Sequence, residues 1–141
     1  MIGKMGGRVK EIAQQVSHYQ PLPEYDDPHG REWLLMKAIL RQWTSEITKP
    51  VIIMPIPLYQ YIEETASADG FRARFAELKD WPGVTVHDIM PDYYTLPKEE
   101  RRSFRFEKDI HPTPAHHRFL AELLERAVRQ ELSMTTGATA V

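Results

Sequence analysis

Along the chain the apolar positions change their period several times, and each change marks an element. Trp33, Leu34, Met36, Ala38, Ile39, Leu40 and Trp43 recur at helical spacing, and a stripe this broad predicts an amphipathic helix with one face on a core. Asp27 can cap that helix and Pro28 suits its first position, which places it over residues 28–46. Lys49 and Pro50 end the pattern. Residues 51–57 read VIIMPIP, a continuous apolar run of the kind required by a parallel strand buried on both faces. Pro55 and Pro57 bring no ladder N–H, so pairing should finish near Met54. Residues 59–65 and 71–80 read as helical, with Phe71, Phe75 and Leu78 on one side of the second piece, until Trp81-Pro82-Gly83 stops it. VTVHDI, residues 84–89, is a second strand.

Two strands joined by a helical stretch predict a right-handed crossover and an α/β fold with a parallel sheet. The last helix is expected over 114–132, capped by Thr113 and opened by Pro114. Ala115, Phe119, Leu120, Leu123, Leu124, Ala127 and Val128 would form its buried stripe. The two long helices, 28–46 and 114–132, are then the natural covers for the two faces of the sheet. Val9, Ile12, Ala13 and Val16 predict a short helix within 1–17, followed by a Pro-broken connection. The organisation read from these signals is an N-terminal helix and linker over 1–27, one α/β domain over 28–132, and a frayed tail over 133–141.

Composition narrows the function classes. The chain has 141 residues, enough for one domain with a real core, and no cysteine, which removes disulfides, thiolate metal ligands and a thiol nucleophile. Eighteen Lys and Arg against twenty Asp and Glu give a formal charge of -2, so no cationic field favours nucleic acid. The N-terminus has no apolar run of the length a signal peptide needs, and nowhere does the sequence approach about 18 consecutive apolar residues, the length of a membrane span. A soluble protein, cytoplasmic as written, is the expectation.

Asp109-Ile110-His111-Pro112 stands just before the start of the last helix, a place where parallel α/β proteins put reacting groups. A carboxylate two residues from an imidazole can accept its Nδ1–H, fix the tautomer and stabilise the imidazolium, leaving Nε2 as a general base. In the structural alternative Asp109 only caps a turn. His87, His111, His116 and His117 make a conceivable metal cluster, but His116 and His117 are neighbours that point about 100° apart on a helix, and solvated helix-start residues fit them better. His87 and Asp88 alternate to opposite faces of a strand, so Asp88 is read as capping the loop that follows. The Lys and Arg residues of 72–79 and 98–108 interleave with acids and read as solvated surface, and Trp33, Trp43 and Trp81 as packing residues. No metal or organic cofactor is expected.

Taken in order, these segments resemble the C-terminal half of the SGNH, or GDSL-like, hydrolases. The resemblance covers roughly residues 28–132 and rests on PVIIMPIP, VTVHDI and DIHPTPAHHRFLAELL. It implies a three-layer, flavodoxin-like parallel sheet flanked by helices, of which only the C-terminal portion is present. It also implies an esterase, lipase or acetylesterase in which His111 is the base and Asp109 its orienter, acting on a small-molecule, glycan or lipid ester. Two departures stand out: Lys108 occupies the acid position of the commoner Asp-x-x-His motif, so the match is to the Asp-x-His variant, and His116 replaces a usual glycine. The family's nucleophilic Ser block and its oxyanion Gly and Asn are absent, the chain having no Asn at all. Ser17, Ser45, Ser67, Ser103 and Ser133 lack the glycine-rich strand-end setting of a nucleophile. An upstream segment, a partner chain or a homo-oligomer is therefore expected to complete the unit, and a non-catalytic interaction module is the alternative.

Overall fold

The computed structural model describes residues 19–138 together with Val9, Ile12 and Ala13. The helix expected within 1–17 falls mostly outside these residues, as do the last three positions of the tail. A 3-10 turn at Pro23–Tyr25 leads to α1, Arg31–Ser45. The strand β1, Val51–Ile53, is followed by α2, Tyr59–Ile62, then by α3, Asp69–Ala76, and by β2, Val84–Val86. Two short helices come next, α4 at Met90–Tyr94 and α5 at Lys98–Arg102, followed by β3, Arg105–Phe106, β4, Asp109–Pro112, and the long α6, Pro114–Ala138.

β1 and β2 pair in parallel, with Val51 opposite Val84 and Ile53 opposite Val86, so the expected crossover is present. Gly83 enters β2 with φ of 72°, a conformation open to glycine without a Cβ penalty, and its carbonyl accepts the Val51 N–H at 2.8 Å. β3 and β4 form a separate antiparallel hairpin. The chain is thus mixed α and β with helix dominating, and its described sheets have two strands each; an extended three-layer sheet is not among the described elements.

Alternation along β2 shows how its faces are covered. Thr85 Oγ1 donates to Glu131 of α6 at 2.6 Å, whereas Val86 and Asp88 sit with Phe71, Arg72 and Phe75 of α3. The cover opposite α6 is therefore α3, where the sequence reading had placed the 28–46 helix. That helix lies beside α3: Trp33 Nε1 donates to Glu77 at 3.2 Å, Lys37 pairs with the same carboxylate at 2.6 Å, and the Trp33 and Phe75 rings lie 5.7 Å apart. Its start is also later than expected. Asp27 accepts the His29 N–H at 2.9 Å and the Gly30 N–H on its carbonyl at 3.1 Å, so the residue read as a cap builds a turn of its own, and Gly30 becomes the N-cap.

The core gathers Trp33, Tyr61, Leu78, Ile89, Met90, Tyr93 and Leu123, all fully buried. Gly70 opens α3 against the 3-10 turn so closely that a Cβ would run into the Asp26 side chain and the Tyr25 carbonyl. On α6 the buried set is His116, Leu120, Leu123 and Ala127, a narrower stripe than expected, and Leu124 and Val128 stay exposed. α6 continues to Ala138, past the end expected near Leu132.

Candidate active site

The β3–β4 hairpin carries the residues singled out for chemistry. Asp109 and His111 are two apart on β4 and so share a face. One carboxylate oxygen of Asp109 accepts both the His111 backbone N–H, at 3.1 Å, and His111 Nδ1, at 2.5 Å. The His111 hydrogen bond, foremost its side-chain part, holds the Asp109 carboxyl below its ordinary value, which keeps the acceptor ionised. The side chains are 76% and 54% exposed for His111 and Asp109. With Nδ1 donating to the carboxylate, Nε2 carries the free lone pair and meets solvent. Both residues named from the sequence are thus brought into direct hydrogen-bond contact.

Next to the hairpin is a pocket of about 370 Å³ that the sequence did not reveal. The chain leaving β1 contributes Ile56, Pro57 and Leu58, α2 contributes Gln60 and Ile62, and β4 contributes Ile110 and Pro112. Strand alternation turns Ile110 and Pro112 into the pocket and Asp109 and His111 to the other side of the strand.

His116 lines the same pocket and corrects the sequence reading, which placed it in solvent with His117. His117 is exposed, but His116 is buried, stacked on Phe104 at 4.9 Å, with Nε2 at 2.5 Å from the Tyr93 hydroxyl. Burial lowers its pKa, with His117 nearby adding to the effect, and burial likewise pushes the Tyr93 hydroxyl up. Tyr93 therefore keeps its proton and donates it to a neutral imidazole. The signal was available in the spacing, because 116, 120, 123 and 127 follow one helical stripe.

The basic segment is also less solvated than expected. Arg101 is buried and donates to the Ile62 carbonyl and to Glu64, each at 2.8 Å, and Arg105 grips Glu63, whose side chain is 1% exposed. Arg105 also lies over the Tyr59 ring at 4.6 Å. These ion pairs bind α2 to α5 and β3. Asp88 behaves as read from the sequence, accepting the Met90 N–H at 3.1 Å, and it also pairs with Arg72 at 2.8 Å. His87 Nε2 is buried without a partner. Trp43, read as a packing residue, is 51% exposed.

Among the described residues no group of three or more His, Asp or Glu is placed to hold a metal, and no helix is long and apolar enough to cross a membrane. Ser45, Ser103 and Ser133 each donate to a carbonyl three residues back at 2.7 Å, and Ser67 accepts the Asp69 N–H at 3.1 Å. Ser17 lies outside the described residues. No family model, no curated protein and no solved structure matches the chain.

Proposed function

We propose that this chain is the base-bearing portion of an ester hydrolase of the SGNH kind. The observation that supports it is the Asp109–His111 pair, held by two hydrogen bonds to one oxygen with Nε2 left open. In this reading the β1–β2 sheet is the C-terminal part of a larger three-layer sheet, and the nucleophilic Ser comes to His111 from outside the described residues.

The chemistry then follows from the groups. A Ser Oγ–H gives its proton to His111 Nε2 as Oγ bonds to the ester carbonyl carbon; His111 returns that proton to the departing alcohol oxygen, and water repeats the sequence on the acyl-enzyme. Asp109 keeps the ring in the Nδ1–H tautomer and stabilises the imidazolium. Without its nucleophile the chain is a poor esterase, because losing that residue from a triad costs on the order of 10⁶ in turnover, more than a general base contributes.

The purified chain is therefore expected to hydrolyse 4-nitrophenyl acetate slowly and without labelling by a fluorophosphonate. His111→Ala should lower that slow rate by about 10²-fold, the low end of the general-base range. A double substitution of the exposed His29 and His117 by Ala measures the background of surface imidazoles and should leave most of the rate. An unchanged rate in His111→Ala refutes the assignment.

A further inference from the structure

We propose that the pocket beside the hairpin is a binding site for a small neutral molecule of mainly hydrocarbon character, an aromatic or saturated ring or a short alkyl chain. Two independent observations lead there. The volume of about 370 Å³ lies at the small end of the range for ligand sites, about 300–1,000 Å³. The second is where the fold leaves apolar side chains in water. Ile110 is 68% exposed, Ile56 56% and Tyr19 42%, and these three, from segments far apart in the sequence, meet in the lining of this one pocket. Apolar residues exposed singly need no explanation, but apolar side chains gathered around a concavity mark a ligand groove. Pro57, Leu58 and Pro112 add to the apolar wall.

The polar side chains of the lining decide the charge of the occupant. Arg105 is held by Glu63 at 2.5 Å and lies over the Tyr59 ring, so its charge is already met. His116 is neutral, with Nε2 taken by the Tyr93 hydroxyl and a further hydrogen bond to the backbone of Phe104. The Gln60 amide and the Tyr19 and Tyr59 hydroxyls, also in the lining, are neutral groups. An amide N–H donates and a phenolic hydroxyl donates or accepts, so a hydroxyl, ether or carbonyl on the ligand is accommodated and none of them is required. Among the described residues no charge of the lining lacks its counter-charge. An ammonium or carboxylate carried into the pocket would give up its water without gaining an ion pair. Selection is therefore by size, apolar contact and the absence of charge.

The pocket lies on the side of β4 away from Asp109 and His111, so the site goes beyond the proposed hydrolysis and its test is independent of that reaction. Isoleucine methyl resonances of the full chain are followed on titration with three probes that share one ring: anisole, benzoate and benzylammonium. Expected are saturable shifts at Ile56 and Ile110 with anisole and none at Ile12 and Ile39, which are each 59% exposed and report adsorption to any apolar surface. Benzoate and benzylammonium should bind about 10-fold more weakly or worse, the consequence of stripping water from an unpaired charge. Ile56→Trp, at an exposed position that tolerates a larger side chain, should fill the pocket and abolish the anisole shift at Ile110. Ile110→Ala should weaken anisole binding, read at Ile56, by about 3- to 10-fold through lost aliphatic contact. The site is overturned by the absence of saturable shifts or by equal shifts at Ile12 and Ile39, and its location by an Ile110 shift that persists in Ile56→Trp. Benzoate or benzylammonium binding as tightly as anisole overturns the neutral occupant.

Discussion

His116 shows how a single residue couples the fold to pH. Its imidazole is neutral in the folded chain because burial penalises the cation, and Tyr93 supplies the proton that Nε2 accepts. In the unfolded chain a histidine titrates near about 6.5. Below that value the unfolded state binds a proton that the folded state refuses, so this contribution to stability is complete above about pH 6.5 and is lost as pH falls toward the lowered folded value. Melting temperature is expected to be flat just above neutrality and to decline on acidification below about pH 6.5. His116→Phe, which keeps the ring on Phe104, should flatten that decline whatever it does to overall stability. Glu64, lowered chiefly by its bond from Arg101, gives up its share only at more acidic pH. Tyr93→Phe leaves His116 Nε2 unmet and should cost about 1–3 kcal/mol in a urea titration.

At the scale of elements, the start of α6 decides where the hairpin sits. Thr113 Oγ1 accepts the His116 N–H at 3.4 Å and donates to the Ser103 carbonyl at 2.9 Å. Its backbone N–H meets the Phe104 carbonyl at 2.9 Å. The cap thereby fastens the helix to the chain entering β3 and, through it, the strand that bears Asp109 and His111. Thr113→Ala is expected to cost about 1 kcal/mol, the typical value of an N-cap, and Thr113→Ser should recover most of it, measured as the shift in denaturation midpoint. This cap was legible in the sequence because Thr-Pro before an apolar stripe has only local requirements. The start of α1 was not legible. Asp27 and Pro28 satisfy the same rule, yet an Asx turn competes for the Asp27 side chain, and Gly30 takes the cap instead.

For the whole molecule the telling feature is a set of apolar side chains that stand exposed among the described residues. On α1, Leu35 and Ile39 are each 59% exposed and Trp43 51%. Parallel sheets are rarely stable with two strands, and among the described residues β1 pairs with β2 alone. Rows of exposed apolar side chains of this kind mark surfaces that associate. Sedimentation velocity is expected to show the average mass rising with concentration, and Ile39→Lys combined with Trp43→Glu should return the chain to monomer without loss of helicity. A monomer at all concentrations would show that this surface is tolerated in water.

The sequence by itself determined the features that depend on neighbours along the chain: the β1–crossover–β2 order, the Asp88 loop bond, the Thr113 cap, and the closeness of Asp109 to His111. A two-residue spacing on a strand and an N-cap are set by backbone geometry, which the order of residues already contains. Only the tertiary structure decided which apolar positions are covered. It placed α3 where the sequence pointed to α1, buried Trp33 but left Trp43 in solvent, drew His116 and Arg101 inward, and opened a pocket between the exit of β1 and β4. These outcomes depend on contacts between distant segments, and the free energy of covering an apolar face is the same whichever helix covers it. Periodicity therefore says that a face will be buried, and packing alone says against what.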